Sequence, residues 1–281
     1  MSNWTRRALV ATGLASVVTP VAAQEPVETA AYGSDPRQQI DLYGPFGEAR
    51  PAPVLMWLPG GGWRTHERTD VWNLPAFARR NGLLLAACDY RAIPGFGARH
   101  MAQDAAAAFA WLSANAARLG ADPRRTFVMG HSAGGHLAAL INCDPAYLNG
   151  VGHSPADLAG VILLDGAAYD AAEQRQFLQA HGRTAGFFDV LFEGRYETFT
   201  PADRIRLDTP SAPMLMLYAS SRPYALSQNR ALARALDAAQ RPYRMRADSR
   251  ATHISIAQNF GRHGDTMARE ALALIETGSL D

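Results

Sequence analysis

The 281-residue chain contains no lysine; all 27 of its basic residues are arginine. That excludes a Schiff-base lysine, a phosphate-loop lysine and a Ser–Lys dyad together. Cysteine is almost absent, with only Cys88 and Cys143. No Cys/His group has metal-ligand spacing, and H-E-x-x-H does not occur. Basic blocks and acidic tails are missing, and the formal net charge is only +1, so nothing marks a nucleic-acid footprint. Beyond the N-terminus no run is apolar enough to span a bilayer. What is present is an ordinary globular balance, 48% hydrophobic and 19% charged, which excludes a disordered chain.

The N-terminus reads as a targeting segment. Arg6-Arg7 precede the apolar run Ala8–Val18, and Pro20-Val21-Ala22-Ala23 offers small residues before Gln24. This is the layout of a secretory signal cleaved after Ala23. Thr5-Arg6-Arg7-Ala8-Leu9 also resembles a twin-arginine signal without the full pattern. Cleavage removes two arginines and no acid, which turns the formal charge from +1 to −1. The mature chain, residues 24–281, is expected to be one soluble domain, periplasmic or secreted. Export permits disulfides. However, Cys88 ends a predicted strand and Cys143 the far end of a predicted helix, on opposite sides of an α/β sheet. Two buried free thiols are expected.

The mature chain alternates short apolar runs with helical patterns. Gln39–Tyr43 reads as an antiparallel edge strand. Pro53–Leu58, Leu83–Cys88, Thr126–Met129, Ala159–Leu164, Met214–Tyr218 and Tyr243–Ala247 read as further strands. Helices are expected over Asp70–Arg80 with Asp70 as cap, Met101–Leu119, the Ala/Leu-rich run after Ser132, Ala225–Gln240 and His263–Gly278. Such alternation demands a mostly parallel sheet covered on both faces. The pattern loosens over 167–213, which carries seven aromatics, among them Tyr169, Phe188, Phe192 and Phe199. A short cap or lid over a pocket is expected there.

The stretch with chemistry in it is Gly130-His131-Ser132-Ala133-Gly134, a G-x-S-x-G between a predicted strand and a predicted helix. A strand turning directly into a helix lifts the serine hydroxyl off the sheet edge, at a helix N-terminus that favours negative charge. Serine is a weak nucleophile and needs a base and oxyanion donors. Gly60-Gly61-Gly62 closes another central strand, so Gly61 and Gly62, with Ala133, are the expected donors. Trp63 and His131 are the expected substrate contacts. Of the eight histidines, His253 fits the base best, because it follows the last strand. His263 is expected to cap a helix, and His66 and His100 to lie in loops near the site.

These residues form a set. Tyr32-Gly33, Asp41-Leu42-Tyr43, Gly60-Gly61-Gly62-Trp63-Arg64, Asp89-Tyr90-Arg91, Asp104, Trp111-Leu112, Gly130–His136 and Thr252-His253-Ile254-Ser255 resemble, in order, the α/β-hydrolase superfamily. Within it the chain resembles the small esterase/lipase group that is feruloyl/acetyl-xylan-esterase-like and close to arylformamidases. The resemblance implies the α/β-hydrolase fold and hydrolysis of a small carboxylic ester through an acyl-serine intermediate, with no cofactor. The chain departs from the pattern twice. Pro59 stands where the family usually has histidine. Ala219-Ser220-Ser221-Arg222-Pro223 stands where the family has its triad acid. Asp165, directly after Ala159–Leu164, is the expected substitute, as in some lipases of the superfamily; Asp248 and Asp170 are the alternatives. The amidase activity of an arylformamidase and a catalytically silent binding protein are the other functional readings, and oligomeric state is left open.

Overall fold

Residues Ala52–Leu58 are buried at every position. Val54, Met56 and Leu58 pack into one apolar core, Leu55 and Trp57 into a second. A strand that is apolar on both faces has to be covered on both, and this sets the architecture. The structure, a computed structural model, describes residues 25–44, 50–183 and 185–280. The expected signal segment, residues 1–23, lies outside the described residues.

In chain order the elements begin with β1 (Glu28–Ala31), β2 (Gln39–Tyr43), β3 (Ala52–Leu58), α1 (Leu74–Arg80), β4 (Leu84–Cys88) and α2 (Ala98–Asn115). They continue with β5 (Ala121–His131), α3 (Ala133–Cys143), α4 (Pro145–Asn149) and β6 (Gly160–Leu164). The insertion follows, with α5 (Ala171–Ala180), α6 (Phe187–Leu191) and α7 (Pro201–Arg204). The last elements are β7 (Met214–Ala219), α8 (Pro223–Ala238), β8 (Tyr243–Asp248), α9 (Ser255–Gln258) and α10 (Thr266–Thr277). The eight strands form one sheet in the order β1-β2-β4-β3-β5-β6-β7-β8. β2 runs antiparallel to β1 and β4; β4 and all later strands are parallel. One core takes apolar residues from α2, α3, α8 and the insertion, the other from α1, α9 and α10. This is the α/β-hydrolase arrangement, with helices on both faces.

Several expectations need correction. β2 is not the edge; β1 covers it, a four-residue strand of alternating half-buried and exposed residues with too little apolar signal to stand out. Helix α1 starts at Leu74, not Asp70. Trp72 takes a positive φ of 42°, which breaks the helix, and Pro75 starts it. Asp70 instead accepts the Glu67 N–H at 3.3 Å. The final helix is capped by Asp265, whose carboxylate accepts from Met267 N–H, and exposed His263 lies before it. Cys88 and Cys143 are free and buried.

The aromatic insertion between β6 and β7 contributes Phe188, Phe192 and Phe199, each fully buried, to the core shared with α3. It is seated on the glycine loop through Trp63, whose ring meets Phe188 at 5.8 Å and Phe192 at 6.1 Å, both edge to face. The parallel strands all end on one edge of the sheet, so the segments after β3, β5, β6, β7 and β8 emerge side by side. Those segments carry Gly60–Gly62, Ser132, Asp165, Arg222 and His253.

Candidate active site

Ser132 sits between β5 and α3 with φ 53° and ψ −115°, a conformation that side-chain-bearing residues rarely adopt. Its neighbours show why glycine flanks it. A Cβ on Gly130 would lie 2.2 Å from the Gly134 carbonyl oxygen, and one on Gly134 would lie 2.0 Å from that of Leu58. The bend is pinned by backbone bonds. Ser132 N–H donates to Leu164 O at 3.2 Å, and Ala167 N–H donates to Ser132 O at 3.2 Å. The loop after β6 is thereby tied to the serine.

His253 comes from the loop after β8. Its Nε2 lies 2.9 Å from Ser132 Oγ and its Nδ1 lies 2.7 Å from Asp165 Oδ2. With Nδ1–H donating to the carboxylate, Nε2 is left to accept the serine proton. The loop is held on three sides. Ser221 Oγ–H donates to Ala251 O at 2.8 Å, Thr252 and Ser255 exchange reciprocal backbone-to-hydroxyl bonds, and His131 Nε2–H donates to His253 O at 2.7 Å.

Asp165 is fully buried and has a positive φ of 44°, which aspartate tolerates better than most residues. Oδ1 accepts from Ala219 N–H at 3.2 Å. Oδ2 accepts from His253 and also from Arg222 Nη1. Burial pushes this carboxyl upward, but the His253 hydrogen bond and the Arg222 charge outweigh it, so the group is held below the usual carboxylate range. The alternatives lie elsewhere. Asp170 caps α5 by accepting from Glu173 N–H at 2.8 Å, and Asp248 accepts from Arg250 N–H at 2.8 Å.

The glycine loop lies against the serine: a Cβ on Gly60 would stand 3.0 Å from Ser132 Cβ. Gly61 and Gly62 have φ of 149° and 60°. Among the described residues, the N–H groups of Gly61, Gly62 and Ala133 donate no hydrogen bond. The loop is braced by Tyr90, whose hydroxyl donates to Pro59 O at 2.8 Å and whose ring stacks on His66 at 3.6 Å.

The two residues expected to touch substrate have other work. Trp63 is 3% exposed; its indole N–H donates to His136 Nδ1 at 3.3 Å, and its ring packs against Phe187, Phe188 and Phe192 of the insertion. It is a wall between loop and insertion. His131 is 4% exposed and spends its Nε2–H on the His253 carbonyl. Burial, then the neighbouring His253, lowers its pKa to about 3, so it stays neutral. His136 bridges the same wall, Nε2–H donating to Phe199 O at 2.7 Å, and burial lowers it to about 4. His66 is fully buried, with Nε2 at 2.6 Å from Tyr90 O, and burial lowers it to about 4. Neither His66 nor His100, which lies on α2 against Phe96, is part of this constellation.

Sequence reasoning took Arg222 only as a missing acid. The structure joins its guanidinium to Asp165 and Tyr224 and sets it beside His253 Nδ1. The available signal was a cation at a position where a buried charge has to find a partner. A cavity of about 510 Å³ between α2 and α4 contains none of the constellation, and its Arg91, Arg99 and Arg204 are paired with Asp104, Glu193 and Asp144. Among the described residues there is no cluster of three His, Cys, Asp or Glu able to hold a metal ion, and no helix long and apolar enough to cross a membrane.

Several known proteins are similar to this chain. Residues 40–150 match the BD-FAE family. A probable isoprenylcysteine alpha-carbonyl methylesterase of Arabidopsis thaliana is 33% identical over 108 residues, covering 38% of this chain and 23% of that protein. The isoprenylcysteine alpha-carbonyl methylesterase ICME of the same organism is 26% identical over 208 residues, covering 69% and 48%. Esterase LipC of Mycobacterium tuberculosis is 35% identical over 122 residues, covering 41% and 30%. The chain thus spans between about a quarter and a half of these relatives' lengths. Among solved structures, inhibited Esterase B of Lactobacillus rhamnosis superposes with a TM-score of 0.72 at 21% identity, covering 92% of this chain and 88% of that one. The acetyl ester-xyloside bifunctional hydrolase of Caldicellulosiruptor lactoaceticus gives 0.72 at 16%, covering 91% and 98%. Sheet order, serine bend and these likenesses agree: the chain has the α/β-hydrolase fold, and its residues 40–150 match the BD-FAE family.

Proposed function

We propose that the protein is a serine hydrolase that cleaves carboxylic esters of small acyl or aryl substrates. The reading is carried by one observation: His253 stands within hydrogen-bond reach of Ser132 Oγ on one side and of Asp165 on the other, at 2.9 and 2.7 Å. In this mechanism His253 takes the serine proton as Oγ attacks the ester carbonyl. The N–H groups of Gly61, Gly62 and Ala133 receive the oxyanion. His253 then protonates the leaving alcohol, and water repeats the sequence on the acyl-serine. Asp165 keeps Nδ1 protonated and steadies the imidazolium that forms.

The esterase names of the relatives support the reaction class, and the aromatic insertion beside Trp63 supports a modest apolar acyl or aryl group. The layout of residues 1–23 supports export to the periplasm or beyond, with the mature chain acting there. The test is hydrolysis of a chain-length series of aryl esters, with an aryl formamide in parallel, by wild type and Ser132→Ala. Fluorophosphonate labelling is run on the same samples. Ester turnover and labelling that both vanish in Ser132→Ala are expected. A folded wild type that neither labels nor turns over any ester refutes the proposal and favours a silent binding protein.

A further inference from the structure

The resemblance to the α/β-hydrolase superfamily implies a triad acid after the strand that is β7 here. Here that position is Arg222, and the carboxylate arrives from the neighbouring strand end, β6. Arg222 is not idle in that place. Its side chain is 15% exposed, its Nη1 meets both Asp165 Oδ2 and His253 Nδ1, and its Nη2 meets the Tyr224 hydroxyl. The Tyr224 ring lies under the guanidinium, 4.5 Å from Cζ to the centroid. The backbone of Arg222 is fixed too, its N–H donating to Ala219 O at 3.2 Å as α8 begins.

We propose that Arg222 is a positioning residue that clamps the Asp165 carboxylate toward His253. The inference rests on the serine-hydrolase reading. Two donors, one cationic, converge on Oδ2, and Ala219 N–H holds Oδ1, so the carboxylate has one orientation available. The groups facing His253 are few. They are Asp165 after β6, Arg222 before α8, the neutral His131 ring at 4.7 Å from the end of β5, and Ser132. Tyr224 touches Arg222, and the buried Tyr169 lies near Asp165. One anion and one cation thus act on the imidazole with opposite sign. Arg222 bears on the carboxylate that orients the imidazole.

Three variants test this: Arg222→Gln, Arg222→Lys and Arg222→Met, each checked for folding by circular dichroism and thermal melting. Arg222→Met frees Asp165, and kcat is expected to fall about tenfold with KM little changed. Arg222→Lys and Arg222→Gln each keep a donor, and kcat is expected to stay within about threefold of wild type. The rate of Ser132 phosphonylation gives a second readout that counts only folded sites. Wild-type kcat in Arg222→Met overturns the proposal, and so does a loss in Arg222→Lys and Arg222→Gln as large as that in Arg222→Met. If wild type itself neither labels nor turns over esters, the serine-hydrolase reading fails first and takes this inference with it.

Discussion

Replacing Asp165 with asparagine changes one acceptor into a donor where three donors converge. The carboxylate takes Ala219 N–H on Oδ1 and both His253 Nδ1–H and Arg222 on Oδ2. An amide has one acceptor oxygen, so whichever way it turns, its NH2 faces a donor. The charged side claims the oxygen, and the amide NH2 is then driven against Ala219 N–H. Two losses follow. The imidazolium formed during attack has no anion beside it, and Arg222, now unpaired, repels it. Loss of the triad acid costs serine hydrolases roughly 10⁴-fold in kcat, and the repulsion acts in the same direction. We therefore expect kcat/KM to fall by roughly 10⁴ or more, at least about 5.5 kcal/mol of transition-state stabilisation. The assay is steady-state hydrolysis of the best aryl ester by Asp165→Asn, normalised to folded protein by thermal melting. Turnover within about threefold of wild type refutes the assignment. The double variant Asp165→Asn/Arg222→Asp returns a carboxylate from the β7 side, and is expected to recover at least about tenfold over Asp165→Asn alone.

Two further predictions concern stability. A Cβ on Gly134 meets the Leu58 and Pro59 carbonyl oxygens at 2.0 and 2.8 Å, whereas one on Gly62 meets nothing within 4 Å and suffers only from its φ of 60°. Urea melts should therefore show a loss of about 3 kcal/mol or more in Gly134→Ala but about 1–2 kcal/mol in Gly62→Ala; equal losses contradict the packing argument. His66, His131 and His136 are buried and lowered to about 4, 3 and 4 from the ordinary 6.5. The unfolded chain takes up these protons first. Their contribution is whole above pH 6.5 and is lost as pH falls toward 4, at up to about 1.4 kcal/mol per pH unit for each histidine. Tm should drop steadily from pH 6.5 to 4.5, and less steeply in His136→Gln; a flat Tm over that range contradicts it.

Much of the architecture was legible because burial on both faces leaves a signature in one dimension. Runs such as Val54–Leu58 and Val161–Leu164 are apolar at every position, and only a sheet covered on two sides tolerates that. The serine bend was equally legible, since Gly130 and Gly134 are demanded by backbone atoms a few residues away or on the adjoining strand. β1 escaped notice because a short edge strand needs few apolar residues. The start of α1 was misplaced because a backbone φ at Trp72, not a capping side chain, sets it.

The functional roles divide along the same line. Local chemistry singled out Ser132, the glycine loop and His253, because a strained turn, close backbone approach and a late histidine each constrain their own neighbourhood. What His131, His136, Trp63 and Arg222 do depends on partners 63 to 122 residues away, or on a carboxylate that reached the site from another strand. Whether a polar side chain faces substrate or supports its neighbour depends on which groups surround it in three dimensions. Periodicity and composition determined the sheet and the bend; packing at the shared strand edge is what put Asp165, and not Asp170 or Asp248, beside His253 and set Arg222 against it.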